Sequence, residues 1–177
     1  SPVLEPDTHI TSDYLIKNDP TLIKEKDKYI YKGLDINNYL EYSGILFRIV
    51  SIKDGEIKLV TDDVMTSLVA SYDKVDYKET YLNKWLNDEF LSILKDKNKY
   101  LVKTKTCIDE LDNYDVKTCK KYYKDDFVGL LSIDEYLISD ANNGYLNNGK
   151  YYWLSNQNKD GNNWYVYDVG GLSDKSK

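Results

Sequence analysis

The sequence predicts an α+β domain, a mixed antiparallel sheet with two main helices. Three stretches carry that prediction. Residues 38–63 alternate apolar side chains around tight turns, residues 79–95 switch to helical spacing, and Ser132 with Glu135 marks the start of a second helix. At 177 residues the chain fits one domain with a single sizeable core.

Residues 1–28 contain all three prolines, Pro2, Pro6 and Pro20, and many charges. They are expected to form an N-terminal arm with a short helix near Asp13–Lys17. His9, the only histidine, lies in it. The single folded domain is expected over 29–177. "YIYKG" at 29–33 reads as a strand. "NYLEYSGILFRIVSIKDGEIKLVTDD" reads as three strands parted by "SG" and "KDG". Ile45, Phe47 and Ile49 alternate with Leu46, Arg48 and Val50. Both faces of this middle strand are therefore largely apolar, which places it inside the sheet.

In "ETYLNKWLNDEFLSILK" the residues Leu82, Trp85, Leu86, Phe90, Ile93 and Leu94 recur at three- and four-residue spacing, one face of a helix. Trp85 and Phe90 read as core on that face. "FVGLLSIDEYLI" predicts a short buried strand, Phe127–Leu131, feeding a helix. Ser132 and Glu135 have capping-box spacing, in which each side chain satisfies an orphan amide of the first turn. Asn143-Gly144 and Asn148-Gly149 are turn pairs. Two late strands, near Tyr151–Ser155 and Asn163–Asp168, flank the loop "NQNKDGN".

Composition narrows the function classes. The chain is 41% hydrophobic and 31% charged, a balance suited to a soluble globular fold. No run approaches the ~18 apolar residues of a membrane helix. A net charge of −6 repels phosphate backbones, so nucleic acid is not an expected partner. Arg48 is the only arginine, which argues against bidentate arginine clamps on anions. Eighteen tyrosines stand against three phenylalanines. They suit a contact surface for glycan or protein, or reflect compositional drift together with the abundant Lys and Asn. The chain opens on Ser-Pro without a Met and is expected to be a trimmed or mature fragment, with any targeting segment outside it.

Cys107 and Cys119 are twelve positions apart in a polar segment. A thiolate metal site needs further Cys or His close by, and the one histidine is about a hundred residues away along the chain. The spacing is best read as a structural disulfide across a short loop, which implies an oxidising, extracytoplasmic setting. Two free thiols are the alternative.

No catalytic residue is predicted. The G-x-S-x-G, H-E-x-x-H, P-loop and G-x-G-x-x-G patterns are absent, and a single histidine makes nucleophilic triads improbable. The acidic pairs Asp62-Asp63 and Asp125-Asp126 point to opposite faces of extended chain and form no dyad by themselves. An acid-pair glycosidase assembled from distant residues is the remaining enzyme reading. The loop pattern Asn156-x-Asn158-x-Asp160-Gly161 matches the first half of a calcium loop. One ligand of three is charged, position twelve is Tyr167 rather than Glu, and the flanks read as strands. A solvated turn is the plainer reading and calcium the weak alternative. As a recognition loop it is flanked by Trp153 and Trp164.

The order "NYLEYSGILFRIVSI", "YLNKWLNDEFLSIL", a Cys pair, "VGLLSIDEYL" and "YYWLSN…WYVYDVGG" resembles an uncharacterised family of extracytoplasmic domains from Gram-positive and related low-GC bacteria. Members pair N-Y-x-x-[YF]-x-G-x-x-[WF]-R-I with W-L-N-x-x-F, L-L-S-x-x-E-Y and a late W-L-[ST]. The resemblance spans roughly residues 29–171. It implies a divergent C-type-lectin-like fold, distantly related to the formylglycine-generating enzyme domain, and supports the Cys107–Cys119 bridge. The lectin calcium motifs E-P-N and Q-P-D are absent, and the copper-binding cysteine pair of that enzyme is not matched. Members usually continue to a closing strand of G-[VI]-[RK]-P-V type. The chain ends at Lys177 without one, so the domain is expected to lack it. An open sheet edge of that kind would take a strand-pairing partner or be covered by the N-terminal arm.

Together these readings predict an extracytoplasmic, bacterial cell-surface or secreted binding and adhesion module for a glycan or protein ligand. Trp153, Asn156, Asn158, Asp160 and Trp164 are the expected contact residues, with no required cofactor. Contact with a membrane is expected only through a segment outside this chain. The alternative is a structural or assembly subunit of a surface structure, its missing strand supplied by a partner.

Overall fold

The computed structural model describes residues 12–71 and 73–175. Its main sheet has five antiparallel strands: β1 (Ile23–Glu25), β2 (Lys28–Ile30), β3 (Tyr39–Tyr42), β4 (Ile45–Lys53) and β5 (Glu56–Thr61). β4 is the spine. One edge pairs with β5 from Phe47 to Lys53; the other pairs with β3 along its first half and with β2 at Ser51 and Ile52. The β4–β5 turn is Asp54-Gly55 with φ of 51° and 78°, the left-handed pair that a two-residue hairpin loop requires. Phe47 through Ile52 are all buried, as expected for a central strand apolar on both faces.

A second antiparallel sheet joins β8 (Tyr152–Gln157), β9 (Asn163–Val166) and β10 (Leu172–Ser173). A two-strand ladder, β6 (Thr106–Cys107) with β7 (Tyr122–Tyr123), closes the disulfide loop. Among the described residues four helices accompany the sheets: α1 (Ser12–Asn18), α2 (Tyr81–Trp85), α3 (Lys97–Tyr100) and α4 (Ile133–Ile138). This is the predicted α+β class with antiparallel sheets. No described helix is long and apolar enough to cross a membrane.

α4 links the two sheets. Its capping box forms, with Ser132 N donating to Glu135 Oε1 at 3.1 Å. Ile133, Tyr136, Leu154, Val166 and Ile49 have no solvent exposure and share one core. Much of that core is tyrosine, each ring carrying a hydroxyl that finds a partner inside. Tyr136 donates to Gly170 O at 2.7 Å, Tyr145 to Ile49 O at 3.2 Å, Tyr152 to Leu146 O at 2.8 Å and Tyr31 to Asp19 at 2.7 Å. Tyr42 donates to Lys95 O. Tyrosine here fills the place of phenylalanine and adds a tether to the backbone. Arg48 is equally committed. It lies buried, stacks 4.0 Å from the centre of the Tyr39 ring, and donates to Asn38, Tyr39, Asp62 and Ile36 O.

Three local expectations change. The long helical segment does not wind as one α-helix: α2 passes into a π turn, Leu86–Phe90, and ends in i→i−3 bonds from Ile93 and Leu94. The extra residue in the wide turn rotates the side chains beyond it about the helix axis. Leu82, Phe90 and Leu94 stay buried while Ile93 is 48% exposed. Trp85, expected in the core, is half-buried and stacks on Phe90 with centroids 6.2 Å apart. Residues 127–131 form no strand. The Asn87 side chain takes both backbone groups of Val128, accepting from its N–H at 3.0 Å and donating to its C=O at 2.9 Å, so an amide side chain stands where a strand neighbour would. Residues 12–28 of the expected arm pack on the sheet: Leu15 of α1 is buried in the core, and β2 pairs with β4. His9 and the rest of 1–11 lie outside the described residues.

Candidate functional site

Among the described residues β5 is an edge strand, and against it opens a cleft of about 1520 Å³. The other walls are the irregular segment 62–71, the α2 helix with its π turn, and the extended runs 100–105 and 127–132. Several hydrogen bonds hold the segment 62–71 and the residues just after it. Trp153 Nε1 donates to Leu68 O at 2.9 Å, Leu82 N to Ala70 O at 3.0 Å, and Gln157 Nε2 to Val75 O, just beyond it, at 2.8 Å. Leu59, Val60, Trp85, Val128, Trp153 and Tyr165 supply apolar and aromatic surface. Met65 and Val69 are each 45% exposed at 62–71, large apolar side chains left in water. The volume exceeds the roughly 300–1,000 Å³ of small-molecule sites, so it suits a segment of a larger ligand.

One end of the cleft is polar. Lys58 projects from β5, its ammonium 2.8 Å from Glu135 Oε2 and 2.8 Å from Lys105 O. Burial pushes the Glu135 carboxyl up, yet the Lys58 charge and bond together with the Ser132 amide hold it below the ordinary range. Its neighbour Asp134 has the opposite environment. Burial and the Glu135 charge raise it, against weaker help from Ser132, Lys28 and Lys58. Asp134 is only 7% exposed, and its Oδ1 is a buried oxygen with no hydrogen-bond partner among the described residues. Two adjacent carboxylates are thus pushed apart, a pattern found at acid–base sites. Glu135 is nevertheless occupied at both oxygens, by Ser132 and Lys58, and is a structural anchor first.

The expected contact residues are dispersed. Asn156 has no exposure; its Oδ1 accepts from Ile133 N at 2.8 Å and its Nδ2 donates to Asp109 O at 3.0 Å, tying β8 to α4 and to the disulfide loop. Trp164 is 3% exposed and donates to Leu111 O at 2.9 Å. Asn158 Oδ1 accepts from the amides of Asp160 and Asn162, both at 3.0 Å, and so shapes the turn. The side-chain oxygens of Asn156 and Asn158 are therefore already engaged by N–H groups. Asp160 is exposed, and Trp153 lines the cleft, edge-on to Tyr165 with centroids 5.5 Å apart.

Cys107 and Cys119 form a disulfide, with Cα atoms 6.0 Å apart. Among the described residues one trio of His, Cys, Asp and Glu ligand atoms converges, Cys107, Asp109 and Cys119, but both sulfurs are in the bridge and Asp109 accepts the amides of Lys120 and Lys121. Three members of the two acidic pairs are engaged as well: Asp62 by Arg48, Asp63 by Lys150 and Asp126 by Asn83.

Sequence reasoning missed Lys58, Asp134 and the cleft itself. Lys58 and Glu135 meet across 77 positions of chain, and no local pattern announces that contact. The capping box did point at the helix end where Asp134 sits. In comparison with known proteins, no family model matches the chain, and no curated protein and no solved structure matches it either.

Proposed function

We propose that the chain is an extracytoplasmic recognition module of divergent C-type-lectin-like type, an adhesion domain of a bacterial surface whose ligand is a protein held in the β5 cleft. The observation that carries this reading is the cleft: too large for a metabolite, apolar along its walls, and bordered by a strand edge unpaired among the described residues. The Cys107–Cys119 bridge is consistent with an oxidising compartment. The occupied state of Glu135 favours binding over acid–base catalysis. Relative to the sequence expectation, the contact moves from the loop at 156–163 to the cleft, with Trp153 common to both.

The β5 edge also supports the second reading, a subunit of a surface assembly that takes a strand from its neighbour. Protein and glycan arrays probed with the wild type, Trp153→Ala and Asp160→Ala test the first. Signal on protein features, lost in Trp153→Ala and kept in Asp160→Ala, is the expected result. Signal on glycans alone contradicts the protein reading. Loss in Asp160→Ala with retention in Trp153→Ala returns the contact to the loop.

A further inference from the structure

We propose that the β5 edge accepts an extended segment of a partner protein as an added strand, and that a lysine or arginine of this segment bonds the partnerless Asp134 Oδ1. The inference deepens the cleft-binding reading and rests on it.

Backbone geometry supplies the first half. Asp54-Gly55 is a two-residue turn, so its flanking pair Lys53 and Glu56 is the hydrogen-bonded one. The next pair, Ile52 and Ile57, is then non-bonded, and the N–H and C=O of Ile57 turn away from β4 toward the cleft. Among the described residues no hydrogen bond reaches the outward backbone groups of β5. A strand added there lies about 4.8 Å beyond β5. β5 lines the cleft along its whole length, Glu56–Thr61, and Leu59, Val128 and Trp153 offer apolar contact to alternate side chains of the guest.

Asp134 supplies the second half. Asp134 lines the same cleft, and its buried Oδ1 lacks a donor among the described residues. Glu135 lies beside it on α4, Lys28 and Lys58 approach from the sheet, and Tyr122 from β7. Lys58 is already engaged by Glu135 and by Lys105 O. A buried carboxylate oxygen without a donor carries a desolvation cost that an incoming ammonium or guanidinium removes. A guest carrying an acid at that point adds a third carboxylate to Asp134 and Glu135, whose two charges are already matched by Lys28 and Lys58.

The test uses the full chain and a library of acetylated heptapeptides with β-branched residues at alternate positions and Lys, Arg, Gln or Glu at the centre, read by fluorescence anisotropy. Peptides with central Lys or Arg are expected to bind at least 10-fold tighter than those with Glu. Asp134→Asn should erase that preference, and N-methylation of the amides along one edge of the peptide, but not the other, should abolish binding. Equal affinity for central Lys and Glu, or absence of binding throughout the library, overturns the inference. Peptides that bind, are lost in Trp153→Ala and yet ignore N-methylation on both edges overturn strand addition while leaving the cleft as the binding site.

Discussion

Lys58 on β5 and Glu135 in the first turn of α4 meet at 2.8 Å, joining the edge of the main sheet to the helix that carries the second sheet. The Glu135 side chain is 7% exposed and that of Lys58 28%, so the pair is largely removed from water. Lys58→Met keeps the stem and removes the charge, leaving a buried carboxylate with hydrogen bonds from Ser132 alone. A loss of about 3–5 kcal/mol is expected from denaturant titration. The pH dependence has a definite sign. Glu135 is held below its unfolded value, so its stabilisation is present above the unfolded pKa and is lost as pH falls through the folded one. The gap between wild type and variant should therefore narrow in acid; a gap that widens contradicts the assignment.

Asp134 should behave in the opposite way. Its folded pKa lies above its unfolded one, so the folded state binds more protons in the window between them, and the wild type loses stability as pH rises through it. Asp134→Asn is expected to gain on the order of 1 kcal/mol at neutral pH, about 2–4 °C in Tm for a chain of this size. The gain should vanish below the carboxylate range. A variant less stable than wild type at pH 7 would show that the oxygen is well served in the native protein.

Tyr136 tests the tyrosine core. Its ring is fully buried, and burial raises its hydroxyl to about 12, so it stays a neutral donor to Gly170 O through the physiological range. Tyr136→Phe keeps the ring and leaves that carbonyl without its donor. A loss of about 1 kcal/mol is expected, and no change in stability would mean the hydroxyl serves only as bulk.

The disulfide closes a short loop that β8 uses for anchorage through Ser155 and Asn156. Replacing both Cys107 and Cys119 by Ser should cost about 3 kcal/mol in the chain-entropy model. Reductant should reproduce that cost in the wild type and leave the double variant unmoved.

Local signals in the sequence carried much of the architecture. The alternation around Lys53-Asp54-Gly55, the Ser132–Glu135 cap and the late strands all reappear, because each depends on residues within a few positions of one another. The departures have nonlocal causes. Val128 lacks a strand neighbour because Asn87 takes its place, and the helical face is broken by a π turn that hydrophobic spacing does not encode. The polar loop at 156–163 looked like ligand chemistry because Asn and Asp oxygens recur there. The Asn158 oxygen instead caps its own turn, and the Asn156 side chain bonds Ile133 N and Asp109 O, partners that only the fold brings alongside. The cleft arises from widely separated stretches of chain and leaves no contiguous motif.

Amide hydrogen exchange of the full chain, with and without the protein ligand that the arrays identify, tests the central claim most directly. The cleft reading predicts slowed exchange at Ile57–Thr61 and in 127–131. Protection confined to residues 158–163, with β5 unchanged, would contradict it.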